Sequence, residues 1–159
     1  MSTLVRSAVQ SDLKPISSVH REAFARQRDS EIWVSATLSA TPRILSYVLI
    51  VEDQLIGYIF WVQKSGIRPA AVIELDQVAV SARFQGRGFG EQLIRKSLAL
   101  VEAHLEANDQ TLKTILVSTR DDNAAQRLYR KVLGVKVATR IENLYSATEV
   151  FMIANRETS

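Results

Sequence analysis

Apolar residues return every three or four positions in two long parts of the chain, which is the spacing of an amphipathic helix. The first part covers residues 16–24, with Ser11 or Asp12 as the expected cap and Pro15 in the first turn. In the second part, which follows Gly90, the apolar face consists of Leu93, Ile94, Leu98, Val101 and Leu105. Charged residues occupy the opposite face of that helix, so we expect only one side of it to pack on a core.

Shorter apolar runs, rich in β-branched and aromatic residues, predict strands separated by turns, and Gly57 marks an expected bulge. The strands are expected at residues 3–6, 46–51, 55–63, 72–80, 114–118, 135–139 and 149–154, and two shorter helices at residues 31–39 and 123–132. The order β-α-α-β-β-β-α-β-α-β-β predicts an α/β fold, a mixed sheet with helices on both faces. Since no linker or repeat interrupts this order, we expect a single domain over residues 1–159.

The composition narrows the class of protein without identifying it. With 159 residues, 47% hydrophobic and 23% charged, the chain is long enough to bury a core. The absence of cysteine excludes disulfides, thiolate-bound metal and a thiol nucleophile, and no metal site is expected. The net charge of +3 comes from scattered lysines and arginines, so a nucleic-acid partner is not required. Neither a basic leader nor a membrane-length apolar run is present, which favours a cytoplasmic location without a membrane partner.

A glycine-rich turn follows the central apolar strand. Gln85-Gly86-Arg87-Gly88-Phe89-Gly90 places three glycines at alternate positions just before the long helix. Glycines let backbone N–H groups converge at a helix N-terminus, where negative charge is favoured, so this turn suits a phosphate group. Arg83 and Arg87 add positive charge beside it. The glycine spacing is neither that of a dinucleotide-binding turn nor that of a P-loop.

The order Gln85-x-x-Gly88-x-Gly90, placed after a strand that ends Val78-Ala79-Val80, resembles the pyrophosphate signature of the GNAT N-acetyltransferases. The resemblance covers nearly all of the chain. It implies the GNAT fold, acetyl-CoA as cosubstrate, and direct transfer of the acetyl group to an amine. In such domains the turn holds the pyrophosphate of CoA and the preceding strand holds the pantetheine arm. The resemblance also implies that the Val78 N–H polarises the thioester carbonyl, and that the strands from Val72 and Thr114 splay apart around the arm.

A second segment, Asn123-Ala-Ala-Gln-Arg-Leu-Tyr129, is similar to the second signature of the same family. In many members this tyrosine protonates the departing sulfur of CoA, which would make Tyr129 the general acid. The family usually has asparagine seven residues before the tyrosine, where this chain has Asp122. Because a carboxylate accepts hydrogen bonds but donates none, Asp122 and Asn123 are both candidates for the contact to CoA, with a slight preference for Asn123.

Two acidic residues, Glu74 and Asp76, alternate within the apolar central strand and should point to one face. Burial would raise their pKa values toward those of a general base. Resemblance to the histone-acetylating branch assigns the base to Glu74, with Asp76 in reserve. A salt bridge, or a contact with a positively charged substrate, explains the pair equally well. His20 and His104 are accounted for by their helices.

The sequence does not identify the acceptor amine. Residues 140–152 are similar to the end of protein N-terminal acetyltransferases, in which Tyr145 would hold the first residue of a peptide. Against that acceptor, Val117 stands where the bacterial ribosomal-protein branch has a glutamate. A small amine (a polyamine, amino sugar or amino acid) is an equal alternative. Two functions of other classes remain as alternatives: a non-catalytic acyl-CoA-binding module, and a nucleic-acid-binding regulator, which is disfavoured. A homodimer is also expected to be possible, since the domains of this family often pair.

Overall fold

A computed structural model describes residues 2–156 of the chain, and its elements follow the predicted order. The strands are β1 (Thr3–Ser7), β2 (Ile44–Val51), β3 (Gln54–Gln63), β4 (Ala70–Val80), β5 (Thr111–Arg120), β6 (Lys136–Ile141) and β7 (Glu149–Asn155). The helices are α1 (Leu13–Ala23), α2 (Ser30–Leu38), α3 (Phe89–Ala107) and α4 (Gln126–Leu133). Short 3-10 turns precede α1 and follow β4. None of the helices in residues 2–156 is both long and apolar enough to cross a membrane.

The seven strands form one sheet in the order β1-β2-β3-β4-β5-β7-β6. β4 and β5 pair in parallel, and all other neighbouring strands pair antiparallel. Alternate side chains of the sheet enter two separate apolar clusters. Tyr58 and Phe60 pack with α1 and α2 on one face, whereas Ile59 and Trp61 pack with α3 on the other. The predicted mixed sheet with helices on both faces is thus confirmed.

Gly57 does not occupy the bulge that was expected there. The extra residue between regular β2–β3 pairs is its neighbour Ile56, while Gly57 itself pairs with Leu49. Gly57 allows close contact between β3 and β4, because a Cβ at this position would lie 2.9 Å from the carbonyl oxygen of Ala79. The glycine is therefore explained by strand approach and not by an irregular backbone.

β4 and β5 separate toward their C-terminal ends. Their pairing runs from Ala70 and Thr111 to Leu75 and Val117. Beyond that pair β4 continues to Val80 and β5 to residue 120, without pairing to each other. The expected opening between the two strands is present, and it lies beside the glycine-rich turn.

Candidate active site

One cleft of about 1650 Å³ runs through the opening between β4 and β5. Its walls come from the C-terminal ends of those strands, the glycine-rich turn, α4, and the loops that follow α1 and β6. The two loops meet at one side of the cleft, where Arg26 donates a hydrogen bond to Ser146 Oγ at 3.3 Å. The fold therefore brings together in one cleft the glycine-rich turn, the acidic residues Glu74 and Asp76 of β4, and Tyr129, which are separated in sequence.

The backbone of the turn has the conformation that its glycines predict. Gly86 and Gly88 have φ values of 76° and 80°, in the left-handed region that favours glycine. A Cβ on either residue would meet no heavy atom within 4 Å, so the space beside them is open. Gln85 fixes the start of the turn, since its Nε2 donates to the carbonyl oxygen of Val80 at 3.0 Å.

The start of α3 presents free backbone donors to this space. Gln92 N–H bonds back to the Gly88 carbonyl at 3.1 Å, which leaves the N–H groups of Phe89, Gly90 and Glu91 without helical partners. Phe89 and both neighbouring glycines line the cleft. Such an arrangement of donors at a helix N-terminus is suited to a phosphate group.

The two arginines near the turn are both held against Phe84. Their guanidinium carbons lie 5.1 Å (Arg83) and 5.6 Å (Arg87) from the centre of that ring. Arg83 also donates to Gln54 Oε1 at 2.9 Å. Neither arginine lies in the wall of the cleft, so their positive charge acts on the turn from just outside it.

Tyr129 extends from α4 into the cleft. Its side chain is only 6% exposed, and within residues 2–156 its hydroxyl has no hydrogen-bond partner. Desolvation raises the pKa of this phenol. The hydroxyl therefore keeps its proton at neutral pH and is available to donate it to a bound group.

Asn123 and Asp122 point in different directions. Asn123 lines the cleft, while Asp122 is turned outward, 72% exposed, and paired with Arg120 at 3.1 Å. Asn123 Oδ1 accepts a hydrogen bond from the Ala125 N–H at 2.9 Å, which stabilises the turn before α4. This turn is why the helix begins at residue 126 and not at 123, as predicted. Of the two candidates, only Asn123 is placed to contact a ligand in the cleft.

Glu74 and Asp76 both line the cleft on β4, but their environments differ. Glu74 Oε1 is 3.4 Å from Lys64 Nζ. Asp76 is the extra residue of a β-bulge, because Leu75 and Gln77 pair with consecutive residues of β3. Desolvation, and after it the negative charge of Glu74, raises the pKa of Asp76. Asp76 therefore takes up a proton at a higher pH than an ordinary aspartate does.

The bulge also explains a polar network that the sequence did not predict. Strict alternation would turn Gln77 to the face of α3, whereas the extra residue turns it toward α1 and α2. Gln77 Oε1 accepts hydrogen bonds from Trp33 Nε1 and from the Tyr58 hydroxyl, both at 3.2 Å. Its Nε2 lies 3.4 Å from Gln27 Oε1. Because these residues are distant in sequence, no local sequence pattern predicts the network.

His20 supports this network through a hydrogen bond with Gln27. It is fully buried, with Nδ1 2.8 Å from Ser30 Oγ and Nε2 3.0 Å from Gln27 Oε1. Desolvation lowers the pKa of His20, so the ring is neutral at physiological pH. Its contacts position Gln27, whose side chain lines the cleft.

Three further residues complete the description of the cleft. Val117 is buried in its wall at 2% exposure, and Tyr145 lies at its mouth at 75% exposure. Glu149, at the start of β7, is 5% exposed and also lines the cleft. The signal for Glu149 was available in the sequence, since an acidic residue opens an otherwise apolar strand, as with Glu74 and Asp76.

Several solved structures share this fold. The ribosomal-protein-S18-alanine N-acetyltransferase from Escherichia coli matches with a TM-score of 0.78 and 19% identity, over 99% of this chain and 96% of that one. NAA60 from Arabidopsis thaliana, in complex with acetyl-CoA, matches with a TM-score of 0.76 and 16% identity, over 97% and 98%. An N-acetyltransferase from Staphylococcus aureus Mu50 matches with a TM-score of 0.79 and 16% identity, over 98% and 99%.

Sequence comparison gives the family directly. A search of curated proteins finds no match. The sequence model of the acetyltransferase (GNAT) family, by contrast, matches residues 8–135, a span that includes the glycine-rich turn, the strand acids and Tyr129. Because this match covers most of the chain and the fold agrees with it, the protein belongs to the GNAT family of acetyltransferases.

Proposed function

We propose that the protein transfers the acetyl group of acetyl-CoA to a primary amine by direct attack within a ternary complex. The observation that carries this proposal is the single cleft, which joins an anion-binding turn to a buried tyrosine and two carboxylates. Acetyl-CoA is bound by a relative of the same fold, which supports it as the cosubstrate.

In this proposal, CoA lies along the opening between β4 and β5. Its pyrophosphate binds the free N–H groups at the start of α3, with Asn123 as a further contact. Beyond Leu75, β4 has no pairing with β5, so the backbone groups of Val78 and the N–H of Val80 on that edge are available to the amides of pantetheine. The Val80 carbonyl already accepts from Gln85, and the Ala79 carbonyl faces β3, so Ala79 contributes no backbone contact on this edge. The Val78 N–H then polarises the carbonyl of the thioester.

The acceptor amine must lose a proton before it attacks. The Glu74–Asp76 pair takes that proton, and we assign the base to Asp76 because the pKa of its carboxyl is raised. As the new N–C bond forms and the C–S bond breaks, Tyr129 gives its proton to the departing sulfur. Holding both reactants in one cleft supplies much of the rate enhancement without a covalent intermediate.

A protein N-terminus is a second candidate for the acceptor. The observation that favours it is Tyr145, exposed at the mouth of the cleft beside the Arg26–Ser146 contact, where an entering chain would pass. Val117 weighs against it, because a valine in the wall of the cleft can neither bind nor deprotonate an amine.

Release of free CoA from acetyl-CoA, followed with a thiol reagent over panels of small amines and short peptides, tests the proposal. We expect amine-dependent release well above the hydrolysis seen without an acceptor. Tight binding of acetyl-CoA with no release for any amine would favour the acyl-CoA-binding module instead.

A further inference from the structure

The acidic residues of the cleft fall into two groups. The lining acids are Glu74, Asp76, Glu91 and Glu149. Lys64 pairs with Glu74, and Arg95 and Lys131 pair with Glu91 at 3.0 and 2.9 Å. Within residues 2–156, neither a hydrogen bond nor an ion pair reaches the carboxylates of Asp76 and Glu149.

Glu149 is the more unusual of the two, because the residue is only 5% exposed. The surroundings of Glu149 disfavour its charged form, because desolvation raises the pKa of this carboxyl and the positive charge of Arg120 offsets the rise only in part. Arg120 is its direct neighbour across the β5–β7 pairing, but the Arg120 guanidinium donates to both oxygens of Asp122 at 3.1 Å. The next arginine, Arg140 of β6, pairs with Asp121.

Strand geometry directs Glu149 into the cleft. Along β7, Glu149 and Phe151 line the cleft, whereas Val150 and Met152 enter the core on the face of α3. β5 lies between β4 and β7. Since neighbouring strands are about 4.8 Å apart, and β4 and β5 diverge here, the backbones that carry Asp76 and Glu149 stand roughly 10 Å apart or more.

We propose that Glu149 binds a second ammonium group of the acceptor, and that the preferred acceptor is therefore a linear diamine. One end of the diamine loses its proton to Asp76 and attacks the thioester, while the other end stays charged against Glu149. Such a ligand compensates both carboxylates that the protein leaves unpaired. This inference rests on the proposed function, which it narrows to one class of amine.

A matched series of acceptors tests the subsite. α,ω-Diaminoalkanes of increasing length are compared with n-alkylamines of the same length, in the wild type, in Glu149→Gln and in Glu102→Gln. Glu102 is a surface residue of α3 paired with Arg156, so its variant controls for the loss of one negative charge. We expect Glu149→Gln to raise the KM of the preferred diamine about tenfold, the loss of one charge-assisted hydrogen bond, and to leave the monoamine KM unchanged. Glu102→Gln should change neither.

Calorimetric titration of the same diamine into the protein, with CoA present, separates this inference from the proposed function. If the diamine binds in a Glu149-dependent manner but no amine is acetylated, the subsite stands and the proposed function fails. If amines are acetylated and Glu149→Gln affects diamines and monoamines equally, the function stands and the subsite is wrong. A diamine that fails to bind the wild type would also overturn the subsite.

Discussion

At the scale of single residues, desolvation raises the pKa values of both Tyr129 and Asp76, although the two residues have opposite proposed roles. In Tyr129, the proposed acid, desolvation raises the pKa of the phenol, so the hydroxyl stays protonated at neutral pH. In Asp76, the proposed base, desolvation raises the pKa of the carboxyl, so the carboxylate accepts a proton at a higher pH than an ordinary aspartate does. The cleft thereby separates the acid from the base without a metal ion or a histidine in either proposed role.

Replacing Tyr129 by phenylalanine removes the proposed acid and keeps the ring that packs beside the cleft. We expect turnover to fall about a hundredfold or more, the usual contribution of a positioned acid, while the affinity for acetyl-CoA is retained. Steady-state kinetics and calorimetry measure the two quantities. Tyr47→Phe is the control, since Tyr47 is also buried, with a pKa raised to about 12, but lies in the core. Equal effects of the two variants would rule out the proposed acid.

The pH dependence of kcat/KM tests whether Asp76 is the general base. Asp76 must be ionised to accept a proton, so kcat/KM should fall as the pH drops through its pKa. Because that pKa is raised, the fall should occur above the pH expected for an ordinary aspartate. Asp76→Asn should lower the rate and remove this limb of the profile, whereas Asp53→Asn, in the β2–β3 turn, should leave it in place. Persistence of the limb in Asp76→Asn would exclude Asp76 as the titrating group.

At the scale of elements, the position of β4 depends on how closely β3 approaches it. Gly57 leaves no room for a Cβ against the carbonyl oxygen of Ala79, and that oxygen belongs to the strand end proposed to hold pantetheine. The bulge at Asp76 lies on the same strand and turns Gln77 toward the hydrogen-bond network in the wall of the cleft. Backbone packing on one edge of β4 thus determines what the other edge presents to a ligand.

Gly57→Ala should therefore affect stability and cofactor binding together. We expect the free energy of unfolding to fall by about 1–3 kcal/mol, as for other overpacked sites, and the affinity for acetyl-CoA to fall with it. Chemical denaturation and calorimetry provide the two values. Gly90→Ala is the control for stability, because its Cβ would meet only Leu128 Cδ2, at 3.9 Å. A Gly57→Ala protein as stable as the wild type would show that the strands can separate at no cost.

At the scale of the whole molecule, the sequence predicted the element order, the mixed sheet and the backbone conformation of the glycine-rich turn, because each depends on local periodicity or on glycine. It did not predict the bulge at Asp76, since pairing register depends on a distant strand. The Gln27–Gln77 network was missed for the same reason, as its members come from distant parts of the chain. Glu149 was missed although an acidic residue at the start of an apolar strand was a signal for it. Local sequence patterns thus predicted the scaffold and the glycine-rich turn, whereas the pairing register of distant strands determines the surroundings of Asp76 and Gln77.

Calorimetric titration of acetyl-CoA tests the central claim, that the amides of the glycine-rich turn bind the pyrophosphate of CoA. The wild type is compared with Gly88→Glu, which brings bulk and negative charge to the turn. Gly66→Glu is the control, because Gly66 also has a positive φ, 110°, and open space around it, but lies in the β3–β4 loop. We predict binding by the wild type and by Gly66→Glu, and a loss of about a hundredfold or more in Gly88→Glu, since several charge-assisted hydrogen bonds are removed. Undiminished binding in Gly88→Glu, or none in the wild type, would contradict the account.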